Sequence, residues 1–304
     1  MDERAPYQYS FSPTTEETAA ATAAYYCDRM HGQPAEFAGG SLQGAPRKVA
    51  IVGLDSPVEA GQTIAAALAD RCGAEAELYL SVPRGPADEV VQTMARWASD
   101  GVTTIIWADV PFNRNTYAAI ATGQDYFPEN LHTGIFLSNL DALARAMDPE
   151  QSKRMFGIEV ATYPAAPEST AAARAYRAAR PDGDVSVLDS DDVQAFENLL
   201  LVMYGIEAAG PDLNAATFES GLFSLDPIKP GDNAATISFG DNGPGNRSAV
   251  DDYAEVWWNP EGLSTDGGIG TFYWVDGGRR YAPDAWPEDP PAPGTTDGSF
   301  QPTD

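Results

Sequence analysis

The sequence predicts an α/β protein, a three-layer αβα lobe built on a parallel sheet and followed by a mostly helical region. Three observations carry this reading. Strand-like and helix-like segments alternate from Arg47 to Pro111, helices alone follow from Glu168 to Gly221, and strand-like aromatic runs return at Tyr253–Trp258 and Gly270–Val275. Parallel neighbours cannot be closed by a hairpin, so each intervening helix serves as a crossover. Ligands in such sheets settle beyond the carboxyl ends of the strands, which makes the loops 54–59 and 109–115 the first candidates for function.

In order, residues 1–15 form an extended aromatic lead through Pro6, Tyr7, Tyr9, Phe11 and Pro13. Thr14-Thr15-Glu16-Glu17 has the capping-box pattern and opens a helix reaching about Met30. Gly32, Pro34, Gly39, Gly40, Gly44 and Pro46 mark a long loop. The β-branched run Arg47–Gly53 is a buried strand. Ile64, Ala65, Leu68 and Cys72 then recur at helical spacing until Gly73 stops the helix. Glu77–Val82, the helix Asp88–Ser99 and Val102–Ala108 repeat the scheme. A helix over Asn113–Gly123, a strand over Leu131–Leu137, a short helix over Ala142–Met147 capped from Ser138 to Asp141, and a strand over Phe156–Tyr163 complete it. Three helices follow over Ser169–Ala179, Ser190–Ala209 and Asn214–Gly221. The middle one is apolar at Phe196, Leu199, Leu200, Met203 and Ile206, so burial is expected. The late runs read as antiparallel strands, and the proline-, glycine- and acid-rich stretch 282–304 reads as a disordered tail.

The length of 304 residues suggests about two domains, and 43% hydrophobic with 21% charged residues is a globular composition. Charge is the outlier. Eighteen Lys and Arg against 45 Asp and Glu leave a net charge of -27, which repels nucleic acid and anionic membrane surfaces. No apolar run reaches the roughly 18 residues that span a bilayer, so no membrane insertion is expected, and Met-Asp-Glu-Arg is not the basic opening of an export signal. Cys27 and Cys72 each lie near a helix end; the sequence leaves open a bridge between them or two reduced core thiols.

Templates for catalysis fail. Gly53-Leu54-Asp55-Ser56-Pro57 lacks the later glycines of a dinucleotide fingerprint, and neither a phosphate loop nor a Gly-x-Ser-x-Gly elbow occurs. His31 and His132 are too few and too far apart for a catalytic or zinc constellation. Asp182–Ser186 begins like a calcium loop, but Val187 and Val193 stand where glycine and glutamate are required, so a turn is the better reading. Trp257 and Trp258 are adjacent in a strand and face opposite sides, which denies them a shared sugar platform. No enzyme activity, cofactor or metal is expected.

Several segments taken in order resemble a known family. They are Pro6-Tyr7 before the helix with Tyr25-Tyr26-Cys27, the Arg47–Gly53 strand, Met203–Leu213 with Phe218 and Gly221, and Tyr253–Trp258 followed by Tyr273–Tyr281. Across about residues 6–281 the chain resembles the type I periplasmic binding proteins, specifically the branched-chain amino acid type of ABC-transporter substrate-binding protein. The resemblance implies two lobes with a ligand cleft and three crossings of the chain between them. Residues 6–163 and 247–281 then form a complete second lobe, 164–246 a partial first lobe, and 282–304 the tail. The opening strand-helix units of the first lobe have no counterpart, so the chain resembles the carboxyl-terminal part of a binding protein. The implied ligand is a small polar solute such as an amino acid or amide, met by the second-lobe loops at Asp55, Ser56, Asp109, Phe112, Ser138 and Asp141. An acid there pairs with an ammonium and the ring covers apolar surface. As plain structure, the same acids and serines are ordinary helix caps and Phe112 ordinary packing. The resemblance also favours the Cys27–Cys72 bridge, an extracytoplasmic location and an ABC permease as partner. The alternatives it leaves are a non-exported sensor domain of the same fold, or a truncated homologue without function.

Overall fold

The computed structural model describes residues 7–10, 12–54, 59–81, 87–109, 111–134, 141–160, 170–188, 190–228, 235–239, 247–250, 252–264 and 267–289. The chain divides into two compact units, one made chiefly of Met1–Pro13 and Thr162–Asp251, the other of Thr14–Ala161 and Asp252–Thr303. The polypeptide passes from one to the other three times. Relative to the expected limits, the lead before Thr14 and residues 247–251 group with the helical unit.

The larger unit holds the sheet. Its elements are α1 (Thr15–Arg29), β1 (Val49–Leu54), α2 (Ala60–Cys72), β2 (Ala76–Ser81), α3 (Ala87–Asp100), β3 (Thr104–Ala108), α4 (Pro111–Thr122), β4 (Glu129–His132), α5 (Asp141–Arg145), α6 (Pro149–Ser152) and β5 (Met155–Glu159). The smaller unit supplies α7 (Ala171–Ala179), α8 (Ser190–Ala209) and α9 (Ala215–Phe223), after which β6 (Tyr253–Leu263), β7 (Ile269–Trp274) and β8 (Arg280–Tyr281) return to the sheet. The strand order is β2-β1-β3-β4-β5-β6-β7, with β8 paired to β6. The pairs β1–β2, β1–β3, β3–β4 and β4–β5 are parallel, and β5–β6, β6–β7 and β6–β8 antiparallel. The fourth strand stops at His132, before the expected Leu137, and 135–140 lie outside the described residues.

Period-two alternation sorts the strand side chains into two cores. Ile51, Ile106, Leu131 and Phe156 pack under α1 and α2 with Tyr25, Tyr26, Ile64 and Leu68. Val52, Ile105 and Trp107 pack under α3 and α4 with Met94, Trp97, Tyr117 and Ala121. The three layers follow from this split. Trp257 joins the first core, whereas Trp258 meets Phe272 on the other face, ring centroids 5.2 Å apart.

Local chemistry fixes the individual elements. The Thr14 hydroxyl accepts from the Glu17 amide at 3.2 Å while Glu17 accepts from the Thr14 amide at 2.6 Å, so the expected capping box opens α1. A β-carbon on Gly53 would lie 2.7 Å from the Gly61 α-carbon, so α2 sits closer on β1 than any side chain permits. A disulfide joins Cys27 near the end of α1 to Cys72 at the end of α2, with α-carbons 5.7 Å apart. Buried Arg47 grips Glu129 with Nε and Nη2, each at 2.9 Å, and pins the long loop to the sheet.

Two expectations are corrected. The stretch after Tyr281 does not begin as a disordered tail: Trp286 is buried, 5.2 Å from the Tyr25 ring and 5.1 Å from Tyr281, and Arg29 Nε donates to the Asp289 carbonyl at 2.9 Å. One tryptophan with an aromatic cradle outweighs a polar composition; residues 290–304 lie outside the described ones. The second concerns α8. Leu199 and Met203 are each 64% exposed, Ile206 43% and Val202 36%. The helix is apolar on two sides, and among its described side chains only the side carrying Leu201 and Gly205 is buried. Gly205 allows the approach of α9, since a β-carbon there would meet Leu222 and Phe218 at 2.8 Å.

Candidate functional site

Strand order reverses at β1, which has β2 on one side and β3 on the other. This is the switch point at which ligands of open α/β sheets collect, beyond the carboxyl ends. Register brings Leu54 opposite Ser81 and Gly53 opposite Ala108, so β1, β2 and β3 end together there. Asp109 is the next residue of β3's strand path. Alternation points it to the α4 side, like Ile105 and Trp107.

Asp109 is 2% exposed and Ser81 is fully buried. The Ser81 hydroxyl donates to Asp109 Oδ2, and Asn113 Nδ2 donates to both Asp109 oxygens at 3.2 Å. Asn113 is one turn into α4, which Pro111 starts. Two phenols close the cluster below. Tyr117 lies with its ring 6.0 Å from that of Tyr79, and burial pushes both hydroxyls above the ordinary tyrosine range, so they stay neutral. Phe112 is 70% exposed in the first turn of the same helix. The structure therefore brings Asp109 and Phe112 together as one buried acid and one open ring on a single segment.

Asp141 is placed elsewhere. It begins α5, and its carboxylate accepts from Ser264 Oγ and Thr271 Oγ at 2.7 Å each and from the Phe272 amide at 3.1 Å. Those bonds clamp α5 to the β6–β7 hairpin. Asp55, Ser56 and Ser138 lie outside the described residues.

Sequence reasoning missed the partners of Asp109. Ser81 was only a strand residue and Asn113 only a helix start, although the four-residue step from Asp109 to Asn113 was there to be read. It also missed a second polar pair at the same sheet edge, His132 Nε2 and Glu159 Oε2 at 2.9 Å, with Glu159 Oε1 accepting from the Val160 amide at 2.8 Å. Arg114, 1% exposed on α4, was likewise unremarked; burial pulls its guanidinium down to about 10. Among the described residues no group of three or more His, Cys, Asp or Glu is arranged to hold a metal ion, and no helix is long and apolar enough to cross a membrane. Asp184 accepts from the Ser186 amide at 3.0 Å in a single turn.

The architecture has counterparts among solved structures. A fatty acid ABC transporter substrate-binding protein from Thermomonospora curvata matches 91% of this chain and 65% of its own, with 16% identity and a TM-score of 0.58. The chain has the type I periplasmic binding protein fold. Another example of this fold is an ABC transporter substrate-binding protein from Desulfitobacterium hafniense, at 15% identity over 88% of this chain and 67% of that one, TM-score 0.53. A third is the solute-binding protein of an ABC transporter from Rhodopseudomonas palustris BisB5 in complex with 3,4-dihydroxybenzoic acid, at 14% identity over 92% and 68%, TM-score 0.57. The chain spans about two thirds of the length of these structures. No family model matches it, and no curated protein matches it.

Proposed function

We propose that this chain is, or forms part of, a non-enzymatic solute-binding protein of an ABC transporter, taking a small polar solute at the carboxyl edge of its parallel sheet. The observation that carries the reading is the fold likeness over about nine tenths of the chain to proteins of that class. Asp109 would receive an ammonium or amide group, held in orientation by Ser81 and Asn113, and Phe112 would cover the solute's apolar part. Asp55, Ser56 and Ser138 would supply hydroxyl and carboxylate contacts from neighbouring loops, and Asp141 would hold α5 in place for them. The Cys27–Cys72 disulfide supports an extracytoplasmic setting, where such bonds persist, with a membrane permease as partner.

The test is a solute panel of amino acids and amides, extended to the fatty acids and hydroxybenzoates named for the similar proteins, read by thermal shift and calorimetry. One class should raise the melting temperature, and a solute at a hundred times its Kd stabilises by about 2.7 kcal/mol. Phe112→Ala, at an exposed position, should weaken that solute roughly tenfold, the loss of about 1.4 kcal/mol of contact, and leave the unliganded melting temperature unchanged. A folded protein that no class shifts and that gives no binding heat would exclude the reading.

A further inference from the structure

Val160 lies just beyond the last paired residue of β5, where the chain is about to leave the larger unit; it crosses at 161–162 and returns at 251–252. Side chains take over where the strand lets go. The Val160 amide donates to Glu159 Oε1 at 2.8 Å, and the Val160 carbonyl accepts from Arg280 Nη2 at 2.9 Å. The same guanidinium reaches the point of return. Its Nε donates to Asp252 Oδ1 at 2.7 Å and its Nη2 to the Asp252 carbonyl at 2.6 Å. On the other side, Glu159 Oε2 meets His132 Nε2, at the end of β4, at 2.9 Å. Register sets β5, β6 and β8 in line here, since Glu159 pairs with Ala254 and Ala254 with Arg280. His132, Glu159, Arg280 and Asp252 are all buried.

We propose that these four side chains are a latch on Val160, with Arg280 as its positioning residue, so that the chain bends beyond the latch and not within the sheet. The peptide groups on both sides of Val160 are held, so neither of its two soft dihedrals can turn without breaking one of these bonds. Packing alone would be served as well by apolar side chains of similar volume. What a buried, hydrogen-bonded network adds is a fixed geometry. That geometry falls at two of the three places where the chain changes unit. Arginine suits the post, because its planar fork holds a carboxylate and two carbonyls at once, where a lysine offers a single point of charge. The far end of the latch supplies a reporter. His132 Nδ1 has no hydrogen-bond partner among the described residues, so the hydrogen bonding of that ring answers to Glu159. The inference concerns the larger unit and does not depend on the solute reading.

Amide hydrogen exchange and side-chain signals, followed by nuclear magnetic resonance, test it. In the parent protein the Val160 amide should be protected although it lies past the end of β5. Arg280→Lys keeps a charge beside Asp252 and loses the fork. It should speed exchange of the Val160 amide roughly tenfold or more, draw the limit of protection back to Ile158 and Ala254, and shift the His132 ring signals, while Ile51 in the middle of the sheet exchanges as before. Glu159→Gln, made at the other end, should move the Arg280 Nε–H signal. The double variant should lose less stability in urea than the two single variants added together, because both changes break one unit. An unprotected Val160 amide in the parent would overturn the proposal without any variant. Arg280→Lys that leaves Val160 and His132 unmoved would do the same, as would exchange that rises equally at Ile51, which marks a loss of overall stability alone. Strictly additive losses would overturn it as well.

Discussion

Asp109 has two faces to its chemistry, because the bonds that aim its carboxylate also bury it. Removing the side chain takes the acceptor from the Ser81 hydroxyl and leaves the Asn113 amide only the longer bond to Ser81 Oγ at 3.4 Å, in a site only 2% exposed at Asp109. Asp109→Ala should therefore cost about 1–3 kcal/mol of stability in urea unfolding, before any solute is added. A variant as stable as the parent would mean that those bonds are worth nothing. Glu197 on α8 gives a pH test. Burial raises its carboxyl above the usual range. A group whose pKa is higher folded than unfolded holds its proton more tightly in the folded state. Its stabilising contribution is thus present in acid and disappears as pH rises through the folded value. Glu197→Gln, neutral throughout, should melt higher than the parent at neutral pH, and the gap should close in acid below the ordinary carboxylate range; equal melting temperatures at neutral pH would refute this. At this scale the sequence was only partly legible. Asp109 and Phe112 could be placed from a strand end, but Ser81 could not be joined to Asp109 without knowing that β2 and β3 flank β1. Asp141 looked like a loop acid, and only the return of β7 from far along the chain showed where its oxygens go.

Elements were the most legible scale, since each rests on a local signal. The bounds Ser190–Ala209 for α8 were readable from hydropathy and the stop at Gly210, and α1 from its capping box. Burial was not, because hydropathy shows that α8 has two apolar sides but not how many neighbours arrive to cover them. The disulfide between α1 and α2 belongs to this scale too. It closes a sequence separation of 45, for which chain entropy alone predicts about 4 kcal/mol. Guanidinium unfolding with and without reductant should show a lower midpoint in the reduced protein, and coincident curves would show that the α1–α2 contact is held by packing alone.

At the scale of the whole molecule, the alternation of strands and helices was enough to fix a parallel sheet, because crossover connections leave little freedom. The insertion of a helical unit between β5 and β6 came from a likeness of several short segments taken in order, not from any one of them, whereas the strand order was not legible, because no local signal says which strands are neighbours. That insertion governs how the protein is made. β5 is buried along its whole length in the finished sheet, one edge taken by β4 and the other by β6. On the ribosome β6 does not exist until residues 162–251 have been synthesised. At about 5–20 residues per second the open edge of β5 waits for roughly 5–20 seconds. For that interval the nascent chain offers an apolar strand with free amides and carbonyls to any neighbour able to pair with it. Translation speed and chaperone occupancy across that window then bear on how much of the protein is recovered in soluble form.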